Sequence, residues 1–218
     1  MGRRASRLPD DPAKVLDLPF EEAKGALLPR LAHPLQTAPG LPAKVLVEGA
    51  LCAYLTLDAP KMMAYVDGPT LRRWGQTTDA ALSVALGNLR EITPPKAFRP
   101  LPAAEGVWGF QEGDTHDAAR ALLVREAVTP WPRMGAFVGV PSRDVAAFVP
   151  LPNEAALAPL RGLAFLCALT FRNAGNHGIS PTPFWFDGKA WHAVEAEVTD
   201  TFVDVTLPAP LTDLMSGP

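Results

Sequence analysis

The sequence predicts an α+β fold: a mostly antiparallel sheet with helices packed on one face, and a single core preceded by a proline-rich N-terminal arm. Three observations predict it. Strand-like segments precede, separate and follow the helical ones, and many are joined by connections so short that only antiparallel pairing satisfies them. Helical apolar spacing is sustained in only two stretches, around 77–93 and 155–172. The chain carries 24 prolines in 218 residues, and each removes a backbone donor and fixes φ, so long uninterrupted elements are disfavoured. The boundaries that follow are an arm with a short helix over 1–42, an α+β domain over 43–207 and a C-terminal tail over 208–218.

The elements follow in order. Residues 1 to about 18 are polar and proline-punctuated and read as a loosely held arm. Pro19-Phe20-Glu21-Glu22 starts a short helix, with proline in the first turn and acids at the positive end. Leu27, Leu28 and Leu31 are its expected buried side, with Pro29 bending or ending it. Lys44–Glu48, Ala50–Leu57 and Met62–Val66 read as strands, and Asp67-Gly68-Pro69 as the turn behind them. Thr77 or Thr78 caps a helix in which Leu82, Ala85, Leu86 and Leu89 recur at helical spacing, and Thr93-Pro94-Pro95 stops it. Val107–Phe110 is a strand, Asp114-Thr115-His116-Asp117 a helix entry into Ala118–Val128. Met134–Val140 and Asp144–Val149 flank Pro141-Ser142-Arg143 as a hairpin. The helix over 155–172 follows, capped by Asn153-Glu154 and apolar around most of its circumference, which predicts a place at the centre of the core. Phe184–Trp191 is a second hairpin with Asp187-Gly188 as its turn, and Val198–Val205 a further strand.

Composition narrows the functional classes. Hydrophobic residues make up 48% and charged residues 20% of the chain, a globular balance. The net charge of −3 is spread without a basic block, so no nucleic-acid partner is expected; the N-terminal Arg3, Arg4 and Arg7 read as a solvated terminus. Cys52 and Cys167 sit in apolar runs and read as small buried hydrophobes. No secretory segment opens the chain and the run Gly162–Thr170 is short for a bilayer, so the expected location is cytoplasmic with no membrane partner. His33, His177 and His192 lack metal-ligand spacing, and no phosphate loop, dinucleotide fingerprint or nucleophile elbow is present. Neither a metal nor a cofactor is expected.

Several motifs occur in a distinctive order. Met62-Met63-Ala64-Tyr65-Val66 and Leu71-Arg72-Arg73-Trp74 are followed by the helix with Ala80-Ala81 that ends Asn88-Leu89-Arg90. Then come Asp114–Arg120, Val140-Pro141-Ser142-Arg143-Asp144, the alanine-rich helix into Asn173-Ala174, and the Asp187-Gly188-Lys189 turn. From Tyr54 to about Val194, two-thirds of the chain, this order resembles the YtpQ-like proteins, an uncharacterised bacterial family of unknown function. The chain departs from that pattern at Thr115-His116, where family members tend to carry Gly-Tyr, and before residue 50, where it is shorter and richer in proline. The resemblance implies a shared fold and no particular activity.

Two groups of residues carry candidate chemistry. In the first, Asp114, His116, Asp117, Arg120, Arg143 and Asp144 combine a histidine bracketed by carboxylates, as a general base or the start of a ligand site requires. Against this, Asp114 suits a helix N-cap and Asp117 with Arg120 an ordinary i,i+3 surface pair. Asn173, Asn176, His177 and Ser180 follow the long helix, where capping accounts for them. In the second group, Phe184, Trp185, Phe186 and Trp191 place aromatics on both faces of one hairpin, the form of an interaction surface, against which packing within the chain accounts for them more simply. The expectation is a non-catalytic protein-interaction or regulatory module, with self-association as one form. The alternative is an enzyme or small-ligand-binding protein built on the Asp/His/Arg group.

Overall fold

The computed structural model describes residues 9, 11–59, 62–94, 98–102, 104–110, 112–199 and 201–216. The fold is α+β with antiparallel sheets, as predicted. In place of a single core, the chain forms two compact units: Met1–Val45 with Cys52–Pro94, and Leu46–Leu51 with Pro95–Pro218. The second boundary falls at the Thr93-Pro94-Pro95 helix stop. The arginines at positions 3, 4 and 7 lie outside the described residues.

The first unit contains α1 (Pro12–Leu16), α2 (Phe20–Ala23), β1 (Leu27–Ala32), β2 (Ala43–Val47), β3 (Leu51–Ala59), β4 (Met62–Tyr65), α3 (Gly68–Arg73) and α4 (Thr78–Ile92). β3 is the spine, pairing with β1 and β4 antiparallel and with β2. Here the expectation for residues 27–31 is corrected. Leu27, Leu28 and Leu31 lie in a fully buried strand, paired with Leu57, Thr56 and Ala53. Their spacing fits either period, and pairing with β3 decides it. Pro29 is tolerated because β1 is an edge strand. α4 lays Ala81, Leu82, Ala85 and Leu89 inward, with Thr77 Oγ1 accepting from Ala80 N at 3.2 Å. α3 stands where a turn was expected, because Asp67 caps it by accepting from Thr70 N at 2.8 Å and Pro69 occupies its first turn.

The second unit contains β5 (Arg99–Pro100), β6 (Trp108–Phe110), a 3₁₀ turn over Ala118–Leu123, α5 (Val124–Ala127), β7 (Ala136–Ser142), β8 (Val145–Pro150), α6 (Ala158–Asn173), β9 (Phe184–Phe186), β10 (Trp191–Ala193), β11 (Glu195–Val198), β12 (Val203–Thr206) and α7 (Ala209–Ser216). Six strands form one antiparallel sheet in the order β10-β9-β7-β8-β6-β5, and β11 and β12 form a separate ribbon.

Cover lies on both faces of this sheet rather than one. β7 is buried at every position, the pattern of a strand with cover on both sides. On one face Phe137, Ala147 and Val149 meet Leu160, Leu163 and Cys167 of α6. Gly139 is required there, since a Cβ would stand 2.5 Å from Cys167 Sγ. On the other face the 3₁₀ turn packs on β7 and β8. Phe98 closes that side edge-on against Phe110 and Phe148, at 5.5 and 5.1 Å.

Two further expectations are corrected. α6 is not enclosed by the sheet: Leu160, Leu163, Ala164 and Cys167 are buried, while Phe165 and Leu169 are exposed. Within the segment expected as a C-terminal tail, Ala209–Ser216 instead forms α7, which docks through fully buried Leu211 and packs Leu214 and Met215 against the same core.

Candidate functional site

The segment from Glu112 to Arg120 turns tightly, with Gly113 and Thr115 both at positive φ (75° and 68°). For a β-branched residue such as Thr115 that conformation is strained, and the carboxylates around it hold it in place. Asp114 Oδ1 accepts from His116 N at 3.0 Å. Asp117 accepts from the backbone N–H groups of Glu112 and Gly113 at 3.1 and 2.9 Å. Arg120 ties them together: its Nη1 donates to Asp114 Oδ1 at 2.6 Å and Asp117 Oδ1 at 3.1 Å, and its Nη2 to Asp114 Oδ2. The guanidinium also lies 4.2 Å from the centre of the Phe110 ring, a cation–π contact.

Burial decides what this cluster can do. Arg120 and Asp117 are both 0% exposed, so the expected surface ion pair is a buried one. The Arg120 hydrogen bonds hold the Asp114 carboxyl below the usual carboxylate range. Burial pushes Asp117 upward, with the backbone donors of Gly113 and Glu112 opposing it and the Asp114 charge adding to it. Arg143 and Asp144 do not join these side chains. They pair with each other at the surface, Nε 3.2 Å from both carboxylate oxygens. The link between the segments is backbone, Ala118 N donating to Arg143 O at 3.1 Å. Arg143 N in turn donates to His177 O; Asn173, the last residue of α6, and Asn176 and His177 in the turn after it are exposed. The first candidate group is therefore a fastener between the 3₁₀ turn and the sheet, its guanidinium engaged with carboxylates from its own segment.

The aromatic hairpin also packs inward. Phe184 and Trp185 are buried, and Phe186 and Trp191 half-buried. Phe186 stacks on Trp191 at 4.9 Å and meets Trp131 at 5.6 Å, while Trp185 Nε1 donates to Met134 O at 2.7 Å. His192 lies on the Trp185 ring, its Nε2 3.4 Å from Asp187 Oδ2. Of the four proposed interaction aromatics, none is left as an exposed anchor.

Among the described residues of this unit, the exposed large apolar side chains are Trp108, Phe165, Leu169 and Phe202. Phe165 and Leu169, one turn apart on α6, are 44% and 42% exposed. With Arg161 and Arg172, also exposed, they follow the spacing i, i+4, i+8, i+11 and so share one face. Beside that face the β11–β12 ribbon packs on α6, and a cleft of about 380 Å³ opens between them. Leu157, Leu160, Val205 and Leu207 form its apolar lining, and Arg161 and Asp204 its charged one. Sequence reasoning missed this surface because an all-round apolar helix reads as core. The available signal was the pair of arginines in line with Phe165 and Leu169, which a fully enclosed helix does not carry.

In the first unit, Gln36, Thr37, Ala38, Leu41, Tyr54 and Tyr65 line a smaller cleft of about 190 Å³. Burial first, then the neighbouring Tyr65, push the Tyr54 hydroxyl up to about 12, so it stays protonated. Both cysteines are free and buried. Among the described residues no group of three or more His, Cys, Asp or Glu side chains is placed to hold a metal ion. No protein-family model matches the chain, and comparisons with curated proteins and with solved structures likewise give no match.

Proposed function

We propose that this chain is a non-catalytic protein-interaction module whose contact surface is the outer face of α6 with the adjoining cleft. One observation carries the reading: Phe165 and Leu169 lie side by side in solvent on a helix whose opposite face is fully buried. Large apolar side chains grouped at the surface of a well-packed helix mark contact sites. The alternative, catalysis by Asp114, His116, Asp117 and Arg120, has less support, since Arg120 and Asp117 are sealed and engaged with each other. The reading extends to a cytoplasmic setting, supported by two free buried thiols. It also extends to membership of the bacterial YtpQ-like family, supported by the motif order between Tyr54 and Val194.

The test replaces Phe165 with a photo-crosslinking benzoylphenylalanine in the full chain, with Lys189 replaced as an exposed control. A discrete adduct formed from position 165, absent from 189 and lost with Leu169→Asp, is the expected result. A chain that forms no adduct from position 165 and runs as a strict monomer by light scattering overturns the reading.

A further inference from the structure

The chain has two tyrosines in 218 residues, and the first unit brings them together. Tyr54 lies on β3 and Tyr65 ends β4, with Tyr65 opposite Thr56 in the antiparallel register. The two tyrosines are therefore diagonal neighbours on one face, a separation that aromatic side chains span. Their ring centres stand 5.7 Å apart, with the planes tilted by 36°. Both line the small cleft that they share with Gln36, Thr37, Ala38 and Leu41. Tyr65 is 55% exposed and Tyr54 half-buried. Phenol and indole rings are the side chains that one-electron oxidants attack. The indole of this unit, Trp74, is buried and donates to Leu18 O at 2.8 Å, so Tyr65 is the ring presented to solvent.

Independently of the α6 reading, the geometry points to a modification site: one-electron oxidation joins Tyr54 to Tyr65 through a carbon–carbon bond, tying β4 to β3 beside the cleft. Tyr65 gives an electron and its hydroxyl proton to the oxidant. The radical passes to Tyr54, whose hydroxyl supplies the hydrogen that restores Tyr65, and a second oxidation of Tyr65 leaves two adjacent radicals. The ring carbons beside the two hydroxyls then bond, and the hydrogens they carried return to the oxygens as both rings regain aromaticity. In sum the chain loses two hydrogen atoms, which turn one hydrogen peroxide into two waters when a haem peroxidase is the oxidant. Two neighbours compete for the oxidising equivalents. Cys52 precedes Tyr54 on the same face, buried and with its thiol donating to Ala32 O at 3.4 Å. Met63 shares the Tyr65 side of β4 and is 37% exposed.

The experiment treats the full chain, dilute enough to disfavour encounters between chains, with a haem peroxidase and limiting hydrogen peroxide. The expected product runs as a monomer on denaturing electrophoresis, shows the blue fluorescence of dityrosine and is lighter by two hydrogens in the mass spectrum. Trypsin cuts after Lys61, so the bond appears as two peptides, one holding position 54 and the other position 65, that stay joined. Tyr54→Phe and Tyr65→Phe each remove the fluorescent monomer. Dityrosine formed only between chains overturns the inference, as does oxidation that ends on Cys52 or Met63 with both tyrosines intact. So does a monomer lighter by two hydrogens that survives either substitution.

Discussion

The two faces of the second unit's sheet are covered by opposite strategies. On one, a short 3₁₀ turn brings Arg120 into a wholly buried position and satisfies it with Asp114, Asp117 and the Phe110 ring. On the other, a 16-residue helix buries a narrow apolar stripe and leaves Phe165 and Leu169 in solvent. The segment rich in reactive groups is thus the one that fastens the fold, and the segment that reads as core presents a surface. Residue type alone misleads at both places, because a guanidinium becomes structural when its partners lie three and six residues away. An apolar helix, in turn, keeps large apolar side chains in solvent where nothing packs on its outer side, as at Phe165 and Leu169.

Substitutions can break this contrast in order of expected effect. Arg120→Ala leaves Asp117 buried without its cation, and removing one partner of a buried pair costs about 3–5 kcal/mol; urea denaturation checks it, and a loss under about 1 kcal/mol would mean the cluster is not a fastener. Along α6, Leu163→Ala opens a hole against β7 and costs about 2–5 kcal/mol, whereas Leu169→Ala stays within about 0.5 kcal/mol. Equal costs at the two positions would erase the distinction between the faces. Acid sharpens the picture. Asp114 titrates below its ordinary value when folded, so its contribution is full above the unfolded pKa near 4 and fades as pH falls through the folded one. Asp117 runs the other way, its raised value making its ionisation a cost as pH rises through the unfolded pKa. Asp114→Asn should therefore flatten the acid limb of a stability–pH curve, and Asp117→Asn should not. The smallest effect is at Cys167: burial pushes its thiol up to about 12, so alkylating reagents at neutral pH should modify it only in unfolded protein.

Much of the fold was legible because local signals agreed with the tertiary outcome. α4 carries its own cap at Thr77 and a clean apolar spacing; the hairpin at Phe186–Trp191 forms at the turn read from the sequence, and that at Ser142–Val145 turns at Arg143-Asp144, just beyond the Pro141-Ser142-Arg143 expected. Where signals were ambiguous, partners decided: β1 has apolar residues compatible with a helix and became a strand by pairing with β3. α3 was hidden because Asp67-Gly68-Pro69 serves a turn and a helix start equally well. Within the candidate site, the Asp117–Arg120 pairing could be read from its spacing, but its depth could not. Burial there involves Phe110, ten residues before Arg120, and strands β7 and β8, which follow it in the chain and pack on the 3₁₀ turn. The division into two units was likewise invisible, since contacts between chain segments far apart define it.

The order of elements along the chain has a consequence for biosynthesis. The stretch Glu154–Asn173 is long and apolar enough to cross a membrane by length and composition, so a nascent polypeptide displaying it naked would invite aggregation. β7 and β8, which take up its inward side, are translated just before it, at roughly 5–20 residues per second. The two strands that shelter the apolar segment therefore leave the ribosome before it, while β9 and β10 of the same sheet follow it.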